Sequence, residues 1–167
     1  NLGANTNLGF DLTLGTAAGI ANSSGTTLTV DGAIDLSGND LSVSNSGAGE
    51  VAFADTISGT GGVSFSGNGT TTLAAANTHT GETLVSGGTL VVQDAQSLGT
   101  ADGTPATGTR VINGAYLRLE NSITVVDELL TSDDARVISD GDNVWTGGMT
   151  DVGSDYLYLW PNADSSL

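Results

Sequence analysis

Short runs in which apolar residues alternate with polar or small ones recur along the chain, and this period of two is the strongest constraint on its fold. Phe10, Leu12 and Leu14 share one face of such a run, with Asp11 and Thr13 on the other. Leu28 and Val30, Ile34 and Leu36, Leu41 and Val43, Val51 and Phe53, and Val63 and Phe65 repeat the pattern at intervals of roughly ten residues. Each run is one short strand with a single buried face. Gly-, Asn- and Ser-rich junctions such as Ser37-Gly38-Asn39-Asp40 and Asn45-Ser46-Gly47-Ala48-Gly49 separate the runs. Glutamate occurs only at Glu50, Glu82, Glu120 and Glu128, and lysine is absent, so almost no helix is expected.

Two all-β architectures satisfy that pattern, an antiparallel sandwich or barrel and a parallel β-helix. Tight hairpins favour Asn-Gly or Asp-Gly turns. Here those dipeptides are limited to Asp31-Gly32, Asn68-Gly69, Asp102-Gly103, Asn113-Gly114 and Asp140-Gly141, and most junctions are looser. The balance tips modestly toward the β-helix.

The formal charge of −16, with Arg110, Arg118 and Arg136 as the basic side chains, repels nucleic acid and anionic lipid as partners. Dispersed acidity of this kind also keeps a β-rich surface soluble without any ligand. With no cysteine there is neither a disulfide framework nor a thiolate metal site, and without lysine no Lys–Asn cross-link. No window approaches the ~20 apolar residues of a membrane helix, and direct membrane insertion is not expected. The first residue is Asn1, which suggests a processed product or an excised piece of a longer protein.

Residues 64–92 carry a more specific signal: a Thr-rich strand ending at Leu73, then Ala76-Asn77-Thr78-His79-Thr80-Gly81, then Thr83-Leu84-Val85-Ser86-Gly87-Gly88-Thr89-Leu90-Val91-Val92. This resembles the passenger-associated repeat of bacterial autotransporters, with His79 standing where the family usually has Tyr. Gln96-Ser97-Leu98-Gly99 resembles the family's Leu-Gly turn, and Asn113-Gly114-Ala115-Tyr116-Leu117-Arg118-Leu119 its next strand. Asn143-Val144-Trp145-Thr146-Gly147 is similar to an Asn-x-Trp-x-Gly unit of the same passengers. An insertion, residues 101–108, lengthens one turn. The resemblance is clearest over residues 60–125.

The resemblance implies an all-β, right-handed parallel β-helix, a solenoid that is a segment of a longer or stacked assembly. We read residues 1–167 as a single domain with acidic and aromatic coils at 131–167. It also implies an extracellular or bacterial cell-surface location and a structural or display role, adhesive or filament-forming, with a carbohydrate-binding or carbohydrate-cleaving β-helix as the alternative. Thr83 with Val85 and Leu90 with Val92 should line the interior. A solenoid leaves strand edges at both ends, so end-to-end self-association or flanking coils of the same parent chain are the expected partners, with a surface glycan or protein as a further ligand.

No catalytic, cofactor-binding or metal site is expected, and the chain is read as a non-enzyme without cofactors. The acidic residues Asp133, Asp134, Asp140 and Asp142 read as a solvated turn, not as paired glycosidase carboxylates. The same stretch, Asp140-Gly141-Asp142-Asn143, lacks the pattern of a calcium loop. Arg118 is expected on an outer face in a cross-strand ion pair, the loop from Gln93 to Arg110 is expected to decorate the rod, and His79 is expected in a surface turn. The candidate interface is the stripe Tyr156, Tyr158 and Trp160, opposite Leu157 and Leu159 in alternation.

Overall fold

A computed structural model describes residues 5–153 and the backbone of the strand Tyr158–Pro161. The described residues form no helix, and every strand pairing is parallel. One sheet has eight strands, in spatial order Thr6–Leu8, Leu28–Val30, Glu50–Phe53, Thr70–Leu73, Thr89–Val92, Tyr116–Leu119, Arg136–Ser139 and Tyr158–Pro161. A second has seven, running from Ala18–Asn22 through Leu41–Asn45, Val63–Gly67, Thr83–Val85, Thr109–Ile112 and Leu130–Asp133 to Met149–Asp151. Each coil contributes one strand to each of these sheets, so the chain is a parallel β-helix.

A third, narrower face is discontinuous. Leu12–Thr13, Ile34–Asp35 and Ile57–Ser58 pair at one end of the rod, and Thr124–Val125 pairs with Val144–Trp145 toward the other. Between them the chain passes through the corner at residues 77–81 and a longer excursion at residues 93–108. The insertion shows in the register: Thr70 lies beside Thr89, whereas Thr89 lies beside Tyr116, a longer step around the coil.

The alternation places one side chain of each pair inside. On the eight-stranded sheet, Leu28, Val51, Thr71, Leu90, Leu117 and Val137 stack in register, and beside them run Val30, Phe53, Leu73, Val92 and Leu119. The seven-stranded sheet faces them with Leu41, Val63, Thr83, Thr109 and Leu130, and with Val43, Phe65, Val85 and Val111. These ladders make one apolar core along the axis. Thr83, Val85, Leu90 and Val92 are buried as expected. Phe10 departs from the expectation that it shares the inward face of Leu12 and Leu14. It is 60% exposed, because the chain bends there and the strand begins only at Leu12.

Two devices turn the chain from the seven-stranded to the eight-stranded sheet. In the early coils a buried asparagine closes each strand. Asn22 Nδ2 donates to the carbonyls of Thr26 and Glu50, and Asn45 Nδ2 to those of Gly49 and Thr70, so each amide ties its own bend to the next coil. In later coils the corner uses left-handed backbone, with φ of 59° at Asn113, 72° at Gly114 and 52° at Asp134. Asn113-Gly114, a hairpin signal in isolation, here turns a solenoid corner: the Asn113 and Gly114 N–H groups donate to the Asp133 and Asp134 carbonyls of the next coil.

Leu117 is fully buried between Leu90 and Val137, and a coil held on both sides cannot collapse onto a cavity. Leu117→Ala should therefore lower the unfolding free energy by about 2–5 kcal/mol. Thr131→Ala, on the outer surface of the other sheet, should cost under about 0.5 kcal/mol. Chemical denaturation followed by circular dichroism reads both.

Candidate functional site

The motif residues of residues 77–99 lie in the coil corner, where the alternation continues without a strand. Asn77 and His79 turn inward while Thr78 and Thr80 are exposed. Asn77 Oδ1 accepts the Ile57 N–H at 2.7 Å, and its Nδ2 donates to the Ser97 carbonyl, so one amide bridges three successive coils. Asn143 ties its own bend to the preceding coil: its Oδ1 accepts the Ile123 N–H and its Nδ2 donates to the Leu119 carbonyl.

His79 corrects the expectation of a surface turn residue: it is 1% exposed. Its Nε2 lies 3.0 Å from Thr83 Oγ1, which donates to the Leu98 carbonyl at 2.9 Å. Burial lowers the imidazole pKa to about 4, with the Ile57 backbone acting weakly in the other direction. Gly99 is required beside it. With φ of 100°, it lies where an added Cβ would come within 2.8 Å of the His79 ring, which explains the Leu-Gly turn.

Sequence reasoning missed Glu128, which is 1% exposed. Its Oε1 accepts from Thr109 Oγ1 at 2.7 Å, and its carbonyl accepts the Trp145 Nε1–H at 3.0 Å. Thr109 stands in register with Thr83, so His79, Thr83, Thr109 and Glu128 form a polar column beside the apolar ladders. Desolvation raises the Glu128 pKa to about 7 against the opposing bond from Thr109. Asp127, with φ of 59°, shifts the alternation by a residue and turns Glu128 inward, so the local sequence carried no signal for it. Gly147 packs on the same point, where a Cβ would fall 1.8 Å from the Glu128 carbonyl oxygen.

The exposed chemistry gathers on the outer face of the eight-stranded sheet. Arg118 is on this face as expected, 3.6 Å from Glu120 and 3.5 Å from Asp140. The Arg136 guanidinium lies 5.1 Å from the Tyr116 ring centre and donates to the Tyr116 hydroxyl at 2.6 Å. Of the candidate interface, Tyr156 lies outside the described residues. The backbone register sets Tyr158 beside Arg136 and Trp160 beside Ile138. Arg110 lies elsewhere. It belongs to the strand Thr109–Ile112 of the seven-stranded sheet, not to a decorating loop, and forms a two-pronged ion pair with Glu82 at 2.7 and 3.3 Å.

The four clustered aspartates are divided by a strand. Asp133 and Asp134 precede Arg136–Ser139, and Asp140 and Asp142 follow it, which separates the two pairs by roughly 15 Å at ~3.3 Å per residue. That exceeds the ~5–9.5 Å between the carboxylates of glycoside hydrolases. Among the described residues no group of three or more His, Asp or Glu side chains is placed to hold a metal ion.

A sequence profile of the passenger-associated-transport-repeat matches residues 66–92. The match covers slightly more than one coil, from the end of Val63–Gly67 through Thr89–Val92. The chain thus carries the passenger repeat on a parallel β-helix. No curated protein and no solved structure matches it.

The two buried ionisable groups pull stability in opposite directions with pH. For His79 the folded pKa of about 4 is below the usual 6.5, so its contribution is present above pH 6.5 and is lost as pH falls through about 4. For Glu128 the folded pKa of about 7 is above the usual 4.5, so its contribution is present below pH 4.5 and is lost as pH rises through about 7. His79→Gln should therefore unmask a stability that falls from pH 4.5 to 7, relative to the parent protein. Glu128→Gln should unmask one that rises from pH 4 to 6.5. Each drift should be on the order of 3 kcal/mol across its window, measured by denaturant midpoints at intervals of pH.

Proposed function

We propose that this chain is a shaft segment of an exported bacterial surface protein of the autotransporter passenger type, structural in role, which holds or displays other parts away from the cell. The observation that carries this reading is the coincidence of the passenger repeat with a single coil of an axially continuous β-helix. Asn77, within the matched repeat, is used up in holding coil to coil, and Leu98 and Gly99 close the same corner by packing. Their chemistry is spent on rigidity.

The shaft has no catalytic role in this reading. The ends are its adhesive surfaces. Met149 continues the inward ladder after Leu130 yet is 40% exposed. It presents a core side chain to a further coil, either of the same parent chain or of the next copy in a filament.

Display can be tested by placing the chain between an epitope and a translocator barrel in a Gram-negative host. Surface labelling of the epitope on intact cells, with the segment resistant to added protease, is the expected result; an epitope retained inside the cell would contradict it. Electron microscopy of the purified chain across concentrations tests stacking. Rods that lengthen with concentration, and stay short in Met149→Glu, are expected.

A further inference from the structure

We propose that the outer face of the eight-stranded sheet binds a neutral, hydroxyl-rich glycan chain laid along the axis of the rod. The proposal goes beyond the shaft reading, which stands without it.

Three observations converge on this face. First, it concentrates side chains that are scarce elsewhere. Two of the three arginines, Arg118 and Arg136, lie on it with Tyr116. Second, it carries a groove of about 320 Å³ whose lining includes Glu50, Thr72, Val91, Gln93, Arg118 and Glu120. Thr72 and Val91 occupy outward positions, beside Ala52 and Arg118, but are buried, so longer side chains enclose a floor. Third, the surrounding polar groups are linked yet incompletely used. Gln93 Nε2 donates to Glu120 Oε2 at 3.0 Å and Thr72 Oγ1 donates to Glu50. Arg118 Nε is shielded from solvent and makes no hydrogen bond, its nearest acceptor being Glu120 Oε1 at 3.6 Å.

The chemistry selects the occupant. Carboxylate, amide and guanidinium groups side by side offer both acceptors and donors, which suits hydroxyls that do both. Arg118 and Arg136 locally offset Glu50, Glu120 and Asp140 on a chain whose net charge is −16. A polyanion would meet long-range repulsion, so a neutral chain is favoured over an acidic one. The same repulsion disfavours a second copy of this protein on the same face. The groove crosses strands from four successive coils, so the ligand runs with the axis.

Affinity electrophoresis of the full chain through gels containing soluble neutral β-glucan, galactomannan or polygalacturonate tests this. Retardation in at least one neutral gel and none in polygalacturonate is expected. Gln93→Ala and Arg118→Gln should each weaken that retardation at least about tenfold in apparent Kd, with unchanged circular dichroism. Arg110→Gln, on the opposite sheet, should leave it unaltered. Overturning results are migration unaffected by both neutral polysaccharides, retardation that survives Gln93→Ala and Arg118→Gln, or particle mass that rises with concentration and falls back in those variants. The last would make the face a contact between copies.

Discussion

The hydrogen-bonded ladder between consecutive coils is the interaction on which the rest of this structure depends. A strand of two to five residues has no stability by itself. Each coil's backbone N–H and C=O groups are satisfied by the coil before and the coil after, so no coil can be assessed alone. The side-chain ladders follow from the same stacking. Once Val51 lies beside Thr71 and Thr71 beside Leu90, an inward position in one coil fixes the inward position in the next. The buried Asn22, Asn45, Asn77 and Asn143 extend the ladder through the corners, where strand geometry fails and backbone groups would otherwise go unpaired.

That constraint also explains how much could be read from the amino-acid sequence. The pairs Ile34 and Leu36, Leu41 and Val43, Val51 and Phe53, and Val63 and Phe65 are inward-facing in the structure because period-two alternation is a local property. Strand direction is not local, and alternation looks the same in parallel and antiparallel sheets. The passenger repeat around residues 66–92 therefore decided the architecture, and the all-parallel pairing agrees with it. Inter-coil register was not legible either, since the bend lengths that set it vary from Thr70–Thr89 to Thr89–Tyr116.

The polar interior was the least legible part. His79, between two threonines, has the composition of a surface turn, and the alternation from Asn77 through Thr80 was the overlooked sign of its burial. Glu128 turns inward only because Asp127 takes a left-handed backbone conformation, which nothing in a non-glycine residue announces. The outer face was partly legible. Arg118 alternates with Leu117 and Leu119 and was placed outward from the sequence, but its neighbours Asp140 and Val91 required the register between coils.

The central claim is that successive coils stack in parallel along one axis, and distances across the rod test it most directly. The chain contains no cysteine, so pairs of introduced cysteines can carry spin labels without background. Ser42, Ser64, Leu84, Arg110 and Thr131 occupy one outward column of the seven-stranded sheet. With one label at Ser42→Cys and the second moved from Leu84 to Arg110 to Thr131, the interspin distance should grow by about 4.8 Å per coil. Distances that fail to increase in that order, or that fold back as they would across an antiparallel sandwich, would contradict the stacked-coil account.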